Sequence, residues 1–156
     1  NYVSVIMYHR FGDSRYPSTN IKRKQFLEHI NELLKPKYNI ISIDKALKAI
    51  NNKNLVKDRS VVITIDDAYS SVFDYAWPIF KKHNIPFTLF VSTDVIDNNT
   101  PGYMSWEQIR ILRDNGITIG SQTKSHPHMF RLDKQNIINE LSSQTADSDE
   151  NSCYIT

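Results

Sequence analysis

Along the chain, short apolar runs rich in β-branched residues alternate with segments whose apolar residues return every three or four positions. Val3-Ser4-Val5-Ile6-Met7-Tyr8 reads as a first strand, and its almost continuous apolar character predicts burial on both faces. Over residues 22–34, Phe26, Leu27, Ile30, Leu33 and Leu34 fall on one face of a helix. Residues 40–43 suit a short strand and 44–51 a short helix. The clearest strand is 60–66, which runs through Val61, Val62, Ile63 and Ile65 and ends on two carboxylates, Asp66 and Asp67. A helix is predicted over 71–83, kinked or restarted at Pro78, which has no N–H for the helical ladder. Residues 87–91 form another apolar strand. Ser105-Trp106-Glu107-Gln108 has the spacing of a capping box opening a helix through Asp114, with Gly116 as its stop. Residues 118–121 read as a strand and 133–141 as a last helix.

Strand and helix in alternation predict an α/β fold whose strands are mainly parallel and joined by helical crossovers. In such sheets ligands sit beyond the C-terminal ends of the strands, so chemistry is to be sought there. The pattern divides the chain into one folded unit, residues 1–141, and a polar stretch, 142–156, with almost nothing to bury and an expectation of disorder.

Composition narrows the classes. The chain has 156 residues, 40% hydrophobic and 23% charged, enough for one domain with a real core. A net charge of +2 gives no basic face for nucleic acid, and the dense basic stretch at 21–24 opens a predicted helix facing solvent. No apolar run reaches the roughly 18 residues of a membrane span. Asn1 lies close to the first strand with no basic and apolar leader before it, although the absence of an initial Met allows a leader to have been removed. Cys153 is alone and cannot form an intrachain disulfide.

Two constellations carry candidate chemistry. Asp66 and Asp67 cannot both point the same way from a strand end, so one can ligate a metal while the other meets a water beside it. Like charges so close push their proton affinities apart, and a cation would relieve the repulsion. On the dipeptide alone, an Asp capping the next helix beside a solvated Asp is an equal alternative. The second is Gly120-Ser121-Gln122-Thr123-Lys124-Ser125-His126-Pro127-His128, also directly after a strand. His126 could give a neutral imidazole to a metal held by a carboxylate from another strand, although a lone loop histidine is the commoner case.

Ile63-Thr64-Ile65-Asp66-Asp67-Ala68 resembles the Thr-Phe-Asp-Asp-Gly motif of polysaccharide deacetylases of the NodB-homology type, and 119–127 resembles their His-Thr-x-x-His motif after a Gly-Ser. Val5-Ile6-Met7-Tyr8-His9, Asn84-Ile85-Pro86-Phe87-Thr88-Leu89-Phe90-Val91 and Met104-Ser105-Trp106-Glu107-Gln108 resemble flanking elements of the same family, so the likeness runs from about Val3 to Leu141. The resemblance implies a partial (β/α) barrel of that type. It also implies Asp66 as catalytic base, Asp67 and His126 as ligands of a divalent metal, commonly zinc, and hydrolysis of N-acetyl groups on a glucosamine-containing polysaccharide. A cell-envelope or extracellular setting follows from the family.

Three departures matter. Gln122 stands where the family's first histidine ligand would be, so it coordinates weakly, or His128 or His9 supplies the missing nitrogen, or the metal site is lost. On an extended segment His126 and His128 would share a face. Ala68 replaces a glycine, which costs about 1 kcal/mol if that position needs a positive φ. Beyond His126 the family's orienting Arg, aromatic wall and C-terminal histidine acid have no counterpart, and a closed barrel usually takes about 200 residues. The domain therefore reads as incomplete, a truncated gene product, a fragment, or a subunit to be closed by a missing C-terminal region or a partner chain, with truncation the preferred reading. Two other functions remain in view: a non-catalytic carbohydrate-binding remnant using Tyr69, Tyr103, Trp106 and Phe130, and a Mg²⁺-dependent phosphotransfer domain built on the paired acids.

Overall fold

The computed structural model describes residues 2–50, 52 and 56–142. Cys153, the polar segment beyond Ser142 and the last predicted residue of the 44–51 helix lie outside the described residues.

The strands are β1 (Val3–Tyr8), β2 (Arg10–Phe11), β3 (Asn20–Ile21), β4 (Asn39–Ile40), β5 (Ser60–Ile65), β6 (Thr88–Val91) and β7 (Thr118–Ser121). The helices are α1 (Arg23–Leu33), α2 (Ile43–Lys48), α3 (Trp77–Lys82), α4 (Thr93–Asp97), α5 (Trp106–Asp114) and α6 (Lys134–Ser142). One sheet has the order β1-β5-β6-β7, with β4 also paired to β5, and every pairing is parallel. β2 and β3 form a separate parallel pair. The predicted parallel α/β fold is what the chain adopts.

Register explains the layers. Ile6 pairs with Ile63 and Tyr8 with Ile65, while Ile65 pairs with Leu89 and Leu89 with Ile119. Paired residues of a parallel ladder share a face, and this one is covered by helices. Phe26 and Ile30 of α1, Phe80 of α3 and Ile109 and Leu112 of α5 join Ile63, Ile65 and Leu89 in the main core, all at most 2% exposed. Each such side chain contributes roughly 1.5–3 kcal/mol on burial.

The opposite face carries Val5, Met7, Val62, Thr64, Thr88, Phe90 and Gly120. Its lower part is closed, since Val62 packs with Ile41, Ala49 and Val56 and with α2 residues Ile43 and Ala46. Beside it on β1, Val5 is 62% and Met7 58% exposed, so the expectation that β1 is buried on both faces is wrong. β1 is an outer strand of the sheet with helix cover on one face only, and a purely local apolar run does not reveal that.

Local chemistry fixes the element ends. Ser105 Oγ accepts the Gln108 N–H at 3.2 Å and Gln108 Oε1 accepts the Ser105 N–H at 3.0 Å, which is the predicted capping box. Pro78 sits in the first turn of α3, after a wider π-turn at Val72–Ala76, so the predicted 71–83 helix is two pieces, as Pro requires. Among the described residues no helix is long and apolar enough to cross a membrane.

Candidate active site

Two chain crossings meet at the C-terminal ends of β5 and β7. β5 continues its ladder by one bond, with the Asp66 N–H donating to Tyr8 O at 2.9 Å, and then turns sharply. Asp67 (φ 70°) and Ala68 (φ 49°) are both left-handed, so the position at which the sequence has Ala in place of Gly does take a positive φ. The turn is held from the far side by the Met104 N–H, which donates to Ala68 O at 2.8 Å, and by an antiparallel bridge between Tyr69 and Tyr103.

From β7 the chain leaves with the Gln122 N–H donating to Val91 O at 2.9 Å, which extends the ladder with β6. Gln122 Oε1 then accepts the Asp67 N–H at 3.3 Å, a bond spanning 55 residues of sequence that ties the two constellations together. Past Gln122 the backbone is left-handed at Thr123 (φ 66°) and His126 (φ 54°), and the His126 N–H donates to Thr123 Oγ1 at 3.1 Å. This is a turn, so the extended spacing that would set His126 and His128 on one face is absent. The exposed His128 ring instead lies 5.9 Å from the ring of Phe130. The loop is pinned at its outer side. Ser125 donates to the Glu140 carboxylate from both N–H and Oγ at 2.8 Å, the Lys124 N–H donates to Glu140 O at 3.2 Å, and the Asp94 N–H donates to Lys124 O at 3.0 Å. Gly120 is needed beneath it, since a Cβ there would sit 2.6 Å from the Phe90 ring.

Electrostatics single out Asp66. Burial pushes its carboxyl above the ordinary value, His9 and His126 pull it back down, and Asp67 adds to the rise. All four ionisable groups thus act on one rim of the sheet. His9 Nε2 lies 3.8 Å from Asp66 Oδ2, with side chains 22% and 16% exposed. The backbone N–H of Ser125 holds Glu140 below the ordinary glutamate range, helped by the Ser125 hydroxyl.

Of the aromatic residues considered for sugar contact, Tyr69 is buried and stacks on Tyr103, their centroids 4.8 Å apart. The Trp106 indole N–H donates to Asp97 at 2.8 Å, and Phe130 stands 81% exposed. One feature of the rim was not legible in the sequence. The Arg10 guanidinium lies 3.4 Å from the centroid of Tyr69 and 3.9 Å from that of Tyr16, with Nη1 3.6 Å from Asp13. Its Nε is buried without a hydrogen-bond partner, so ring stacking holds this cation in place. The signal for it is only the His9-Arg10 step at the end of β1, which says nothing about tyrosines six and 59 residues away.

As a metal site the donor set is short. A catalytic zinc ion takes three protein ligands, usually imidazole, carboxylate or thiolate. Among the described residues no group of three or more His, Cys, Asp or Glu side chains is arranged to hold a metal ion. Asp67 and His126 have the right chemistry, whereas Gln122 offers a neutral oxygen already facing a backbone N–H, and His9 faces Asp66.

The polysaccharide deacetylase family model matches residues 53–151. YxkH of Bacillus subtilis (strain 168), whose name assigns it provisionally to the polysaccharide deacetylases, is 26% identical over 144 residues, covering 92% of this chain and 49% of that protein. The chain therefore spans about half the length of this curated relative. Among solved structures, the Streptococcus pyogenes deacetylase PplD in complex with acetate superposes with a TM-score of 0.84 at 18% identity, over 96% of this chain and 69% of that one. IcaB from Ammonifex degensii gives a TM-score of 0.70 at 28% identity, over 86% of this chain and 57% of that one.

Proposed function

Since the chain belongs to the polysaccharide deacetylase family, we propose that it carries the N-terminal part of a hydrolase that removes N-acetyl groups from a glucosamine-containing polysaccharide with the help of a divalent metal. The observation that carries this reading is the Gln122–Asp67 hydrogen bond, which brings the paired acids after β5 and the histidine loop after β7 to one rim. Residues 1–141 are the catalytic unit in this reading, and a polymer substrate suits a site at the cell envelope or outside the cell.

Asp66 acts as general base, taking the proton of the attacking water on its carboxylate. Its partly buried setting keeps that carboxylate more basic than an exposed one, which makes it a better proton acceptor, and His9 faces it across 3.8 Å. Asp67 and His126 are the residues that would hold the metal. When bound, zinc polarises the acetyl carbonyl and lowers the pKa of water from about 15.7 toward about 7. The exposed upper face of β1, with Val5 and Met7, suits closure by further strands from a C-terminal region or a partner chain.

Release of acetate from N-acetylglucosamine oligomers, with zinc or cobalt supplied, is the test. Asp66→Asn is expected to lower the rate by about 10²–10⁴-fold without loss of fold, as removal of a general base does. A rate that ignores both this substitution and Asp67→Ala would remove the reading. The short donor set favours one other possibility, a carbohydrate-binding remnant without chemistry. Oligomer binding by calorimetry in the presence of a chelator, with no acetate released when metal is restored, is its signature.

A further inference from the structure

We infer that Gln122 is a positioning residue and not a metal ligand: it braces the turn that carries Asp67, which leaves Asp67 and His126 as the two strong donors and makes the site a weak binder of zinc. The inference rests on the reading of this rim as a deacetylase site and concerns how that site is built.

The turn needs a brace. Asp67 and Ala68 are consecutive residues with positive φ, neither is glycine, and L side chains rarely adopt that conformation. After the Asp66 N–H has paired with Tyr8 O, the next N–H, that of Asp67, is turned out of the ladder, and Gln122 Oε1 meets it. Gln122 is itself fixed at both backbone ends, with its N–H on Val91 O at 2.9 Å and its carbonyl receiving Ser92 Oγ at 3.4 Å. A side chain anchored on the β6–β7 ladder thus holds the backbone from which the Asp67 carboxylate projects after β5. The same oxygen is the only metal donor a glutamine has, and a neutral amide oxygen is a poor match for zinc beside imidazole or carboxylate. The residue therefore steadies the Asp67 backbone and adds little to the grip on a cation.

Two readouts on the full chain separate bracing from ligation: zinc titration against a chromophoric chelator, and thermal melting with chelator present. Gln122→Ala is expected to weaken zinc binding by no more than about 10-fold, clearly less than Asp67→Ala does, while lowering the melting temperature by about 2–4 °C, the usual effect of losing one hydrogen bond in a chain of this size. Gln122→Glu keeps an acceptor at the same place and should recover the melting temperature in chelator. Gln122→His supplies a third strong donor and is expected to bind zinc at least about 10-fold more tightly than the parent, a gain cancelled by adding Asp67→Ala. The inference is overturned if Gln122→Ala weakens zinc binding as much as Asp67→Ala does, if it leaves melting unmoved, or if Gln122→His gains no affinity. Acetate release by the unsubstituted chain is scored separately. Its absence counts against the hydrolase reading and leaves the brace untouched.

Discussion

Burial raises the proton affinity of Asp66, and His9 and His126 oppose that rise. In the proposed reaction Asp66 is the general base and works deprotonated, so turnover is expected to fall as pH drops through the Asp66 value. The position of the acidic limb of the kcat/KM profile therefore reports the balance between burial and Asp67, which raise that value, and the two histidines and a bound cation, which lower it. His9→Ala removes one of the downward influences and should move the limb up, which a pH–rate profile on acetylated oligomers would register. A limb that moved down, or stayed in place, would mean that His9 does not act on the carboxylate. At the same scale, the left-handed Ala68 keeps a strain that a glycine would relieve, and its methyl is fully buried in the main core.

Among the elements, the loop after β7 matters most, because it presents His126 and has no regular structure of its own. Its order comes from its neighbours: α6 through Glu140, and the start of α4 through the Asp94 N–H. Glu140 has its proton affinity lowered by the bonds it accepts, so its clamp is present above the ordinary glutamate range and is lost as pH falls through the depressed value. Glu140→Ala is expected to speed amide exchange at Ser125 and Lys124 by about 5-fold or more at pH 7, the kinetic equivalent of losing a charge-assisted bond worth about 1 kcal/mol or more. Unchanged exchange in that variant would show that the backbone bonds, from the Lys124 N–H to Glu140 O and from the Asp94 N–H to Lys124 O, hold the loop without the carboxylate. The β5 turn, fixed by Met104 and Tyr103, should exchange as before.

For the molecule as a whole, the sheet has helices against one face and a partly open second face. β1 is an outer strand with no charged side chain along it, and it exposes Val5 and Met7 on the open face. An uncharged, apolar outer strand is a template for pairing with another chain. The isolated chain is therefore expected to self-associate as its concentration rises, and Val5→Lys, which places a charge on that face, should shift it toward monomer in light scattering coupled to gel filtration. Equal masses for the two proteins at every concentration would show that β1 is not the contact.

The sequence by itself determined the order of the principal elements, the parallel α/β class and the two strand ends that carry the candidate residues. Those features are written in local patterns: hydrophobic period, the Ser105–Gln108 capping box, Pro78, and acids or histidine set directly after apolar runs. Tertiary structure decided the rest. The exposure of Val5 and Met7 depends on where β1 stands in the sheet, and the course of the loop through His126 depends on its anchors at Glu140 and Asp94. Arg10 between Tyr16 and Tyr69, His9 facing Asp66, and Gln122 holding Asp67 each join residues from different parts of the chain. Such partnerships are set by crossover geometry and register, which bring distant residues within hydrogen-bond reach, and no local period along the chain encodes that distance.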